Sequence, residues 1–344
     1  METRLYFASD YQEGAHPAVL KRLVETNLEK TPGYGTDPYS ESAREKIRLA
    51  CGAPDAEVFL LTGGTQTNAV VIGALLRPWQ GVVAARTGHI SVHEAGAVEA
   101  GGHKVLELEG RDGKLSAEQV ARCLDAWSAD ENRDHMVMPG MVYISQPTEF
   151  GTLYSLSELE SLSGVCREAG IPLYADGARL AYALSCEAND VTLPDLARLC
   201  NAFYIGGTKC GALFGEAVVF PRPGTAPHFF TIVKQRGALL AKGRIAGLQF
   251  DALFTDGLYQ KIGRSADRAA DRIRRALSEK GYTQPWVSPT NQVFVALSPE
   301  EASALSERAE LSFWEALEDG RVVLRIATSW ATAEEDVDRL LEIL

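Results

Sequence analysis

The most unusual feature of the sequence is a lysine within a glycine-rich turn. Lys209 lies in YIGGTKCGALFGEAVVF (204–220), between two apolar segments, AFYI and EAVVF, that are typical of buried strands. Burial lowers the pKa of a lysine and makes its amine nucleophilic, and glycines allow another group to approach closely. The pattern favours a lysine that forms a Schiff base. A loop lysine whose amine reaches solvent is the ordinary alternative.

A second segment predicts a phosphate site. LTGGTQTN places Gly63, Gly64 and Thr65 between a short apolar strand and a helix. Free N–H groups in a first helical turn, together with the helix dipole, attract anions, and phosphate is the usual one. The segment matches neither a P-loop nor G-x-G-x-x-G. The alternative is an ordinary tight turn capped by Thr65.

A third segment, PLYADGARLAYAL, ends an apolar strand with Asp176 and places Arg179 three residues later. A buried carboxylate needs a partner, so three interpretations are open. Asp176 pairs with Arg179, caps a helix, or faces a protonated ring nitrogen. Each of these segments is ambiguous alone. Together, a phosphate loop, a strand-end acid and a strand-end lysine describe a pyridoxal phosphate site.

These residues need a scaffold that brings them together. Short apolar strands alternate with helical patterns, which predicts an α/β fold with a mostly parallel sheet. Ligands bind such sheets at the carboxyl ends of the strands, where all three segments lie. After about residue 230 long amphipathic stretches follow. We therefore predict a large domain over residues 1–235, and a linking helix with a small α+β domain over residues 236–344.

Composition narrows the function classes. The net charge of −12 argues against nucleic acid or an anionic membrane as a partner. No run approaches the roughly 20 apolar residues of a membrane span, and METRLYFASD lacks the apolar stretch of a signal peptide. The six cysteines contain no C-x-x-C pair, so we expect reduced thiols in a cytoplasmic protein.

Two further patterns carry less weight. His89 and His93 are spaced to bind zinc from one helix face, but no third ligand or H-E-x-x-H context accompanies them. We predict no metal. Cys210 follows Lys209 directly and is interpreted as a small buried residue rather than a reactive thiol.

Over nearly its whole length the sequence resembles the L-threonine aldolases, a branch of the β-eliminating lyase-like, fold-type-I pyridoxal phosphate enzymes. The matching segments are FASD (7–10), GYGTDP (33–38), TGGTQTN (62–68), GHISVHEAG (88–96), YADGAR (174–179), GGTKCGALFGEAVVF (206–220) and LRIATSW (324–330). The resemblance implies a fold-type-I large domain, a smaller C-terminal α+β domain, and a homodimer or homotetramer with composite active sites.

The resemblance also implies residue roles. Lys209 forms the Schiff base, Asp176 pairs with the ring nitrogen, and His89 stacks on the ring. The remaining implied ligands fall into two groups: Gly63, Gly64, Thr65, Arg179 and, from a neighbouring subunit, Arg244 for the cofactor, and Ser9, Arg179 and Arg325 for the substrate carboxylate.

The implied reaction is cleavage of L-threonine, L-allo-threonine and related L-β-hydroxy-α-amino acids to glycine and an aldehyde. β-Elimination, transamination and racemisation stay open because the same cofactor serves them all, as does a non-catalytic protein that binds a phosphorylated ligand. Some family members have a second active-site histidine where this chain has Glu149, in SQPTEFGTLYS. His89 and Glu149 are therefore both candidates for the base that removes the β-hydroxyl proton.

Overall fold

The computed structural model describes residues 4–344. Residues 1–3 of the predicted first domain lie outside the described residues. The strands are β1 (Leu5–Tyr6), β2 (Glu57–Leu61), β3 (Gln80–Ala85), β4 (Val105–Leu108), β5 (Met138–Ser145), β6 (Leu173–Asp176), β7 (Ala202–Gly206), β8 (Glu216–Phe220), β9 (Gln292–Leu297), β10 (Ala309–Glu310), β11 (Ser312–Ala316) and β12 (Val322–Ala327).

The helices are α1 (Pro17–Glu25), α2 (Pro38–Ala50), α3 (Gly64–Leu75), α4 (His89–Val92), α5 (Ala97–Ala100), α6 (Ala117–Ala129), α7 (Leu156–Glu168), α8 (Leu180–Ser185), α9 (Leu193–Leu199), α10 (Phe229–Gln235), α11 (Arg244–Leu253), α12 (Leu258–Glu279), α13 (Pro299–Arg308) and α14 (Glu334–Ile343), with one 3₁₀ turn at Arg133–His135. Among residues 4–344, none of these helices has the length and apolarity that a bilayer span requires.

A seven-stranded sheet forms the centre of the molecule, in the order β2-β8-β7-β6-β5-β3-β4. Only β8 runs against its neighbours, since the other paired strands are parallel. Because β8 is reversed, its first residue lies at the same sheet edge as the carboxyl ends of β2, β6 and β7. The predicted α/β class with a mostly parallel sheet is confirmed.

Helices cover both faces of this sheet, which explains why the apolar strands lack polar alternation. Strands β7 and β8 are buried at every position, as expected for strands covered on both faces. Successive residues of one strand pack into different cores. Val142 belongs to one apolar cluster and the adjacent Tyr143 to the other. This sandwich holds the loops at the strand ends on a rigid support.

The first long amphipathic stretch after residue 230 forms two helices rather than one. FFTIVKQRGALLAKGRIAGLQFDALF forms α10 and α11, separated by residues 236–243. Gly237 takes a left-handed backbone with φ of 69° immediately after α10, a conformation that ends helices and favours glycine. The division proposed at residue 235 falls in this break and stays a prediction. Beyond it, β9, β11 and β12 form a separate antiparallel sheet.

The N-terminal segment forms a small two-stranded sheet of its own and also contacts the C-terminal sheet. β1 pairs in parallel with β10, and the amide of Ala327 donates to the carbonyl of Phe7 at 2.8 Å. This pairing places residues 8–10 at the carboxyl edge of the central sheet.

All six cysteines are unpaired thiols, as predicted.

Candidate active site

A cavity of about 270 Å³ opens at the carboxyl edge of the central sheet. The loops after β2, β3, β5, β6 and β7 all contribute to its wall. Most of the predicted site residues line it: Gly63, Gly64, Thr65, His89, Glu149, Asp176, Arg179 and Lys209. Residues from positions 63 to 209 of the sequence therefore meet in one cavity, because the carboxyl ends of parallel strands lie at one edge of the sheet.

The glycine turn presents an uncapped helix end to this cavity. Gly63 precedes α3, no side chain caps the helix, and its first hydrogen bond runs from the amide of Thr67 to the carbonyl of Gly63 at 2.9 Å. The alternative of a turn capped by Thr65 is therefore wrong. A Cβ built on Gly63 would meet nothing within 4 Å, so the turn is open to a ligand. The uncapped N–H groups suit an anion.

Lys209 extends from the loop between β7 and β8 into the cavity. Its Nζ lies 5.8 Å from the ring centroid of Tyr11, and its side chain is only partly exposed. Burial lowers the pKa of Lys209, and the positive charge of Arg179 lowers it further. The environment favours the neutral, nucleophilic amine. A loop lysine that simply reaches solvent does not describe this position.

Asp176 is surrounded by hydrogen-bond donors rather than by a cation. Its Oδ2 accepts from Tyr143 at 2.7 Å and from Asn68 at 3.0 Å, and its Oδ1 accepts from Tyr204 and from the amide of Ala178 at 3.0 Å. Burial acts to raise the pKa of Asp176, but the nearby imidazole of His89 and these hydrogen bonds bring it below its usual value. Asp176 is thus held as an anion inside the protein.

Arg179 does not pair with Asp176, so that interpretation is wrong. Helix α8 begins only at Leu180, and Arg179 instead turns to the N-terminal segment. Its Nε and Nη2 donate to the two carboxylate oxygens of Asp10 at 2.6 and 3.0 Å, in a buried bidentate pair. Burial acts to raise the pKa of Asp10, but Arg179 and Lys209 lower it to about 2.

Arg325 lies beside this pair with only neutral partners. Its Nη1 donates to Gln292 at 3.0 Å and its Nη2 to the carbonyl of Ala8 at 3.1 Å, while its Nε is buried without a partner among residues 4–344. Burial, with the charge of Arg179 adding to it, lowers the pKa of Arg325 to about 10. Ser9 lies between the residues that contact the two arginines. Neither Ser9 nor Arg325 lines the 270 Å³ cavity itself.

The two candidate bases contact each other. The backbone N–H of His89 donates to Oε1 of Glu149 at 3.0 Å, and Ser145 donates to the same oxygen at 2.8 Å. Burial raises the pKa of Glu149, although the Ser145 hydrogen bond opposes the shift. Glu149 is 8% exposed, so it is not a solvated loop carboxylate.

Arg244, the ligand predicted to come from a neighbouring subunit, also does not line the cavity. Its guanidinium donates to the carbonyls of Thr26, Asn27 and Glu29 at 3.0 to 3.2 Å, outside the cavity. Its phosphate contact across subunits stays a prediction.

The rings of His89 and His93 are 5.6 Å apart, and no cluster of potential metal ligands forms within residues 4–344.

Cys210 is fully buried, and burial raises the pKa of its thiol to about 12. The interpretation of Cys210 as a small buried residue is confirmed.

Several site residues escaped the sequence analysis: Asp10, Asn68, Glu94, Tyr143, Tyr204 and Glu216. Glu216 was the most detectable, because a carboxylate begins the otherwise apolar strand β8. It accepts from Thr208 at 2.8 Å and from the amide of Gly207 at 3.2 Å. Burial raises the pKa of Glu216 to about 8. Asp10, Asn68, Tyr143 and Tyr204 have partners at least 26 residues away in the chain. Glu94 contacts His89, five residues before it, but no motif indicated this contact.

These features fit pyridoxal phosphate. The uncapped start of α3 suits the phosphate, and a buried carboxylate kept ionised by donors suits a protonated ring nitrogen. The amine of Lys209, which forms no hydrogen bond among residues 4–344, is available for the covalent link.

Comparisons with known proteins agree with this site. The profile of the beta-eliminating lyase family matches residues 7–299. A low specificity L-threonine aldolase from Pseudomonas aeruginosa is 30% identical, over 98% of this chain and 95% of the relative. A solved structure of Leishmania major threonine aldolase superposes with a TM-score of 0.95 at 41% identity, covering 98% of both chains.

An aspartate aminotransferase from Thermus thermophilus shares the fold alone, with a TM-score of 0.73 at 17% identity over 99% of this chain and 90% of that one. The predicted fold-type-I architecture is therefore confirmed. The chain belongs to the beta-eliminating lyase family and, within it, to the threonine aldolases.

Proposed function

We propose that the protein is a pyridoxal phosphate-dependent lyase that cleaves L-threonine, L-allo-threonine and related L-β-hydroxy-α-amino acids to glycine and an aldehyde. The observation that carries the proposal is the convergence of Lys209, Asp176 and the uncapped start of α3 on one cavity. The names of the relatives, both aldolases of threonine, support the same activity.

The cofactor would be held at three places. Bound through Lys209, pyridoxal phosphate supplies an electron-withdrawing ring that accepts the electron pair of the breaking Cα–Cβ bond. Gly63, Gly64 and Thr65 would bind its phosphate with their backbone N–H groups. Asp176, already ionised and fixed by its donors, would hold the ring nitrogen in its protonated state.

The substrate carboxylate is assigned to Arg325, Arg179 and Ser9. Arg325 has no anionic hydrogen-bond partner in the described part of the chain, so its positive charge is available to an incoming carboxylate. Arg179 already donates two hydrogen bonds to Asp10, which neutralises its charge. It would therefore orient the substrate carboxylate more than attract it. Guanidinium groups suit this task because their donors match the two oxygens of a carboxylate.

Removal of the β-hydroxyl proton is assigned to His89 or Glu149. Both line the cavity. Glu149 is supported by its raised pKa, since a base functions best when its pKa approaches the working pH. His89 is supported by a ring nitrogen that its internal partners leave unused. Substitutions that separate the two are described in the Discussion.

We further propose a cytoplasmic homodimer or homotetramer with composite active sites, in which Arg244 reaches the phosphate of a neighbouring subunit. Leu20, Val24 and Leu28 support such an interface, because they leave an apolar row along and just beyond α1 that is 43%, 75% and 92% exposed. Sedimentation that found a fully active monomer would rule this out.

Product analysis tests the proposed reaction. Purified protein loaded with pyridoxal phosphate is incubated with L-threonine, and acetaldehyde, glycine, ammonia, keto acids and D-allo-threonine are quantified. Equal amounts of acetaldehyde and glycine are expected. Ammonia with a keto acid would indicate β-elimination, and a keto acid without ammonia would indicate transamination. D-allo-threonine, the product of inversion at Cα, would indicate racemisation. A protein that binds the cofactor and yields no product would contradict an enzymatic role with this substrate.

A further inference from the structure

One buried carboxylate next to the cavity has no role in the proposed reaction. Glu94 follows α4, its side chain is 0% exposed, and it does not line the cavity. Its Oε1 lies 2.8 Å from Nδ1 of His89, and its Oε2 is buried without a partner among residues 4–344. Burial of an incompletely paired carboxylate costs stability, so this arrangement calls for a functional reason.

The hydrogen bonds around Glu94 settle which atom donates. Tyr174 donates to Oδ1 of Asn68 at 2.8 Å, which fixes the orientation of that amide. Nδ2 of Asn68 must then be the donor to Oε1 of Glu94, at 2.7 Å, and to Asp176, at 3.0 Å. Oε1 of Glu94 is therefore an acceptor, and a neutral imidazole can satisfy it only by carrying its proton on Nδ1.

Within residues 4–344, no other residue competes for this imidazole nitrogen. Glu149 contacts the backbone N–H of His89 rather than its ring, and the ring of His93 is 5.6 Å away. Asp176 accepts its hydrogen bonds from other residues and forms none with the His89 ring within residues 4–344. With Nδ1 occupied by Glu94, Nε2 is the ring nitrogen left for a ligand in the cavity.

We propose that Glu94 is a positioning residue, which fixes the proton of His89 on Nδ1 so that Nε2 faces the cavity as a hydrogen-bond acceptor. A buried carboxylate that holds a histidine in one tautomer is a known way to prepare the other nitrogen for proton transfer. The consequence for rate rests on the proposed function, whereas the tautomer itself does not.

Nitrogen NMR of the apoprotein tests the tautomer directly. Protein labelled with ¹⁵N-histidine is recorded above the titration range of its histidines, and the His89 signals are assigned by their loss in His89→Asn. The wild type is expected to show a protonated Nδ1 and a bare Nε2. A wild-type His89 with its proton on Nε2 would overturn the proposal without any variant at position 94.

Two substitutions at Glu94 separate positioning from packing. Glu94→Met removes the acceptor at similar size, and its His89 signals should shift to a mixture of both tautomers. Glu94→Gln should retain the Nδ1–H form, because Asn68 still donates to an oxygen at that position. Glu99→Met makes the same change at an exposed carboxylate nearby and should leave the His89 signals unchanged. Retention of the Nδ1–H form in Glu94→Met would overturn the proposal.

Kinetics with L-threonine add the functional readout. Glu94→Met should lower kcat roughly 10- to 100-fold, the usual scale for residues that orient a functional histidine, while KM changes little. Glu94→Gln should recover most of the rate. Equal kcat in Glu94→Met and wild type would contradict the role in catalysis. If the wild type itself does not cleave threonine, the proposed function fails, but the NMR result still decides the tautomer.

Discussion

The two halves of the site are built differently. The cofactor wall, comprising Gly63, Gly64, Thr65, Asp176 and Lys209, stands on strand ends of one sheet, and its polar groups are prepared by burial and by neutral donors. The second half, which we call the arginine corner, comprises Asp10, Arg179 and Arg325. It depends on the N-terminal segment, which contacts both Arg179 and the C-terminal sheet.

The two halves also differ in how their charges are compensated before a ligand binds. In the cofactor wall, Asp176 is an anion without a cationic partner, ready for a positively charged ring. In the arginine corner, Asp10 already neutralises Arg179, whereas Arg325 has no ion-pair partner among residues 4–344. The wall is therefore completed by its cofactor, whereas the corner holds its geometry without a ligand.

The largest expected effect comes from Lys209→Ala, which removes the covalent link of the cofactor wall. Nearly all threonine cleavage and the visible absorbance of covalently bound cofactor should disappear. Lys242→Ala, at an exposed lysine on the loop before α11, is the matched control and should retain both. Substantial activity in Lys209→Ala would contradict the assignment of Lys209 as the residue that binds the cofactor covalently.

Substitution of the two candidate bases sharpens the assignment of proton removal. If Glu149 is the base, Glu149→Gln should lower kcat roughly 10²- to 10⁴-fold with cofactor affinity unchanged, since the cofactor wall is intact. His89→Asn should weaken cofactor binding as well as rate. Full activity in Glu149→Gln, combined with loss in cofactor-loaded His89→Asn, would identify His89 instead.

Asp176→Asn tests whether the wall works through preorganised charge. The amide keeps the size of the side chain but no longer stabilises a protonated ring nitrogen. We expect kcat to fall about 10²- to 10³-fold, the scale seen when one preorganised electrostatic group is lost. Steady-state kinetics on cofactor-saturated protein give the answer, and near-normal turnover would refute the assignment.

The arginine corner predicts unequal effects of two similar substitutions. Arg325→Gln should raise KM for L-threonine roughly 10- to 100-fold, because a charge-assisted contact is lost, and should cost about 1 kcal/mol of stability. Arg179→Gln leaves Asp10 buried without its partner and should destabilise the protein by about 3–5 kcal/mol. Kinetics and denaturant unfolding measured on both variants test this contrast, which equal losses of stability would contradict.

The smallest effects concern pH, and their signs are opposite for Asp10, in the arginine corner, and for Glu216, which lines the cavity beside the cofactor wall. The pKa of Asp10 is lowered from 3.8 to about 2, so its stabilising contribution is present above pH 3.8 and is lost as pH falls through 2. The pKa of Glu216 is raised from 4.5 to about 8, so its contribution is present below pH 4.5 and is lost as pH rises through 8.

Melting temperatures of the apoprotein across pH measure both contributions. Asp10→Asn should flatten the acid side of the profile, and Glu216→Gln the alkaline side. An unchanged alkaline slope in Glu216→Gln would show that this carboxyl does not titrate as its burial predicts.

The same contrast explains what the sequence could predict. The cofactor wall follows strands with strong local patterns, so glycines, strand ends and a strand-end acid were enough to place Gly63, Asp176 and Lys209 together. The partner of Arg179 is Asp10, 169 residues away, and no local spacing indicates such a contact. Amphipathic spacing also continues on both sides of Gly237, so the pattern alone does not indicate the break between α10 and α11.

The central claim, that this cavity is a pyridoxal phosphate site closed by Lys209, has one direct test. The purified, cofactor-loaded protein is reduced with borohydride, digested, and its peptides are analysed by mass spectrometry. The account predicts loss of the yellow colour and a single pyridoxyl group on Lys209, within the peptide that contains GGTKCGALFGEAVVF. A pyridoxyl group on a different lysine, or no covalent cofactor at all, would contradict it.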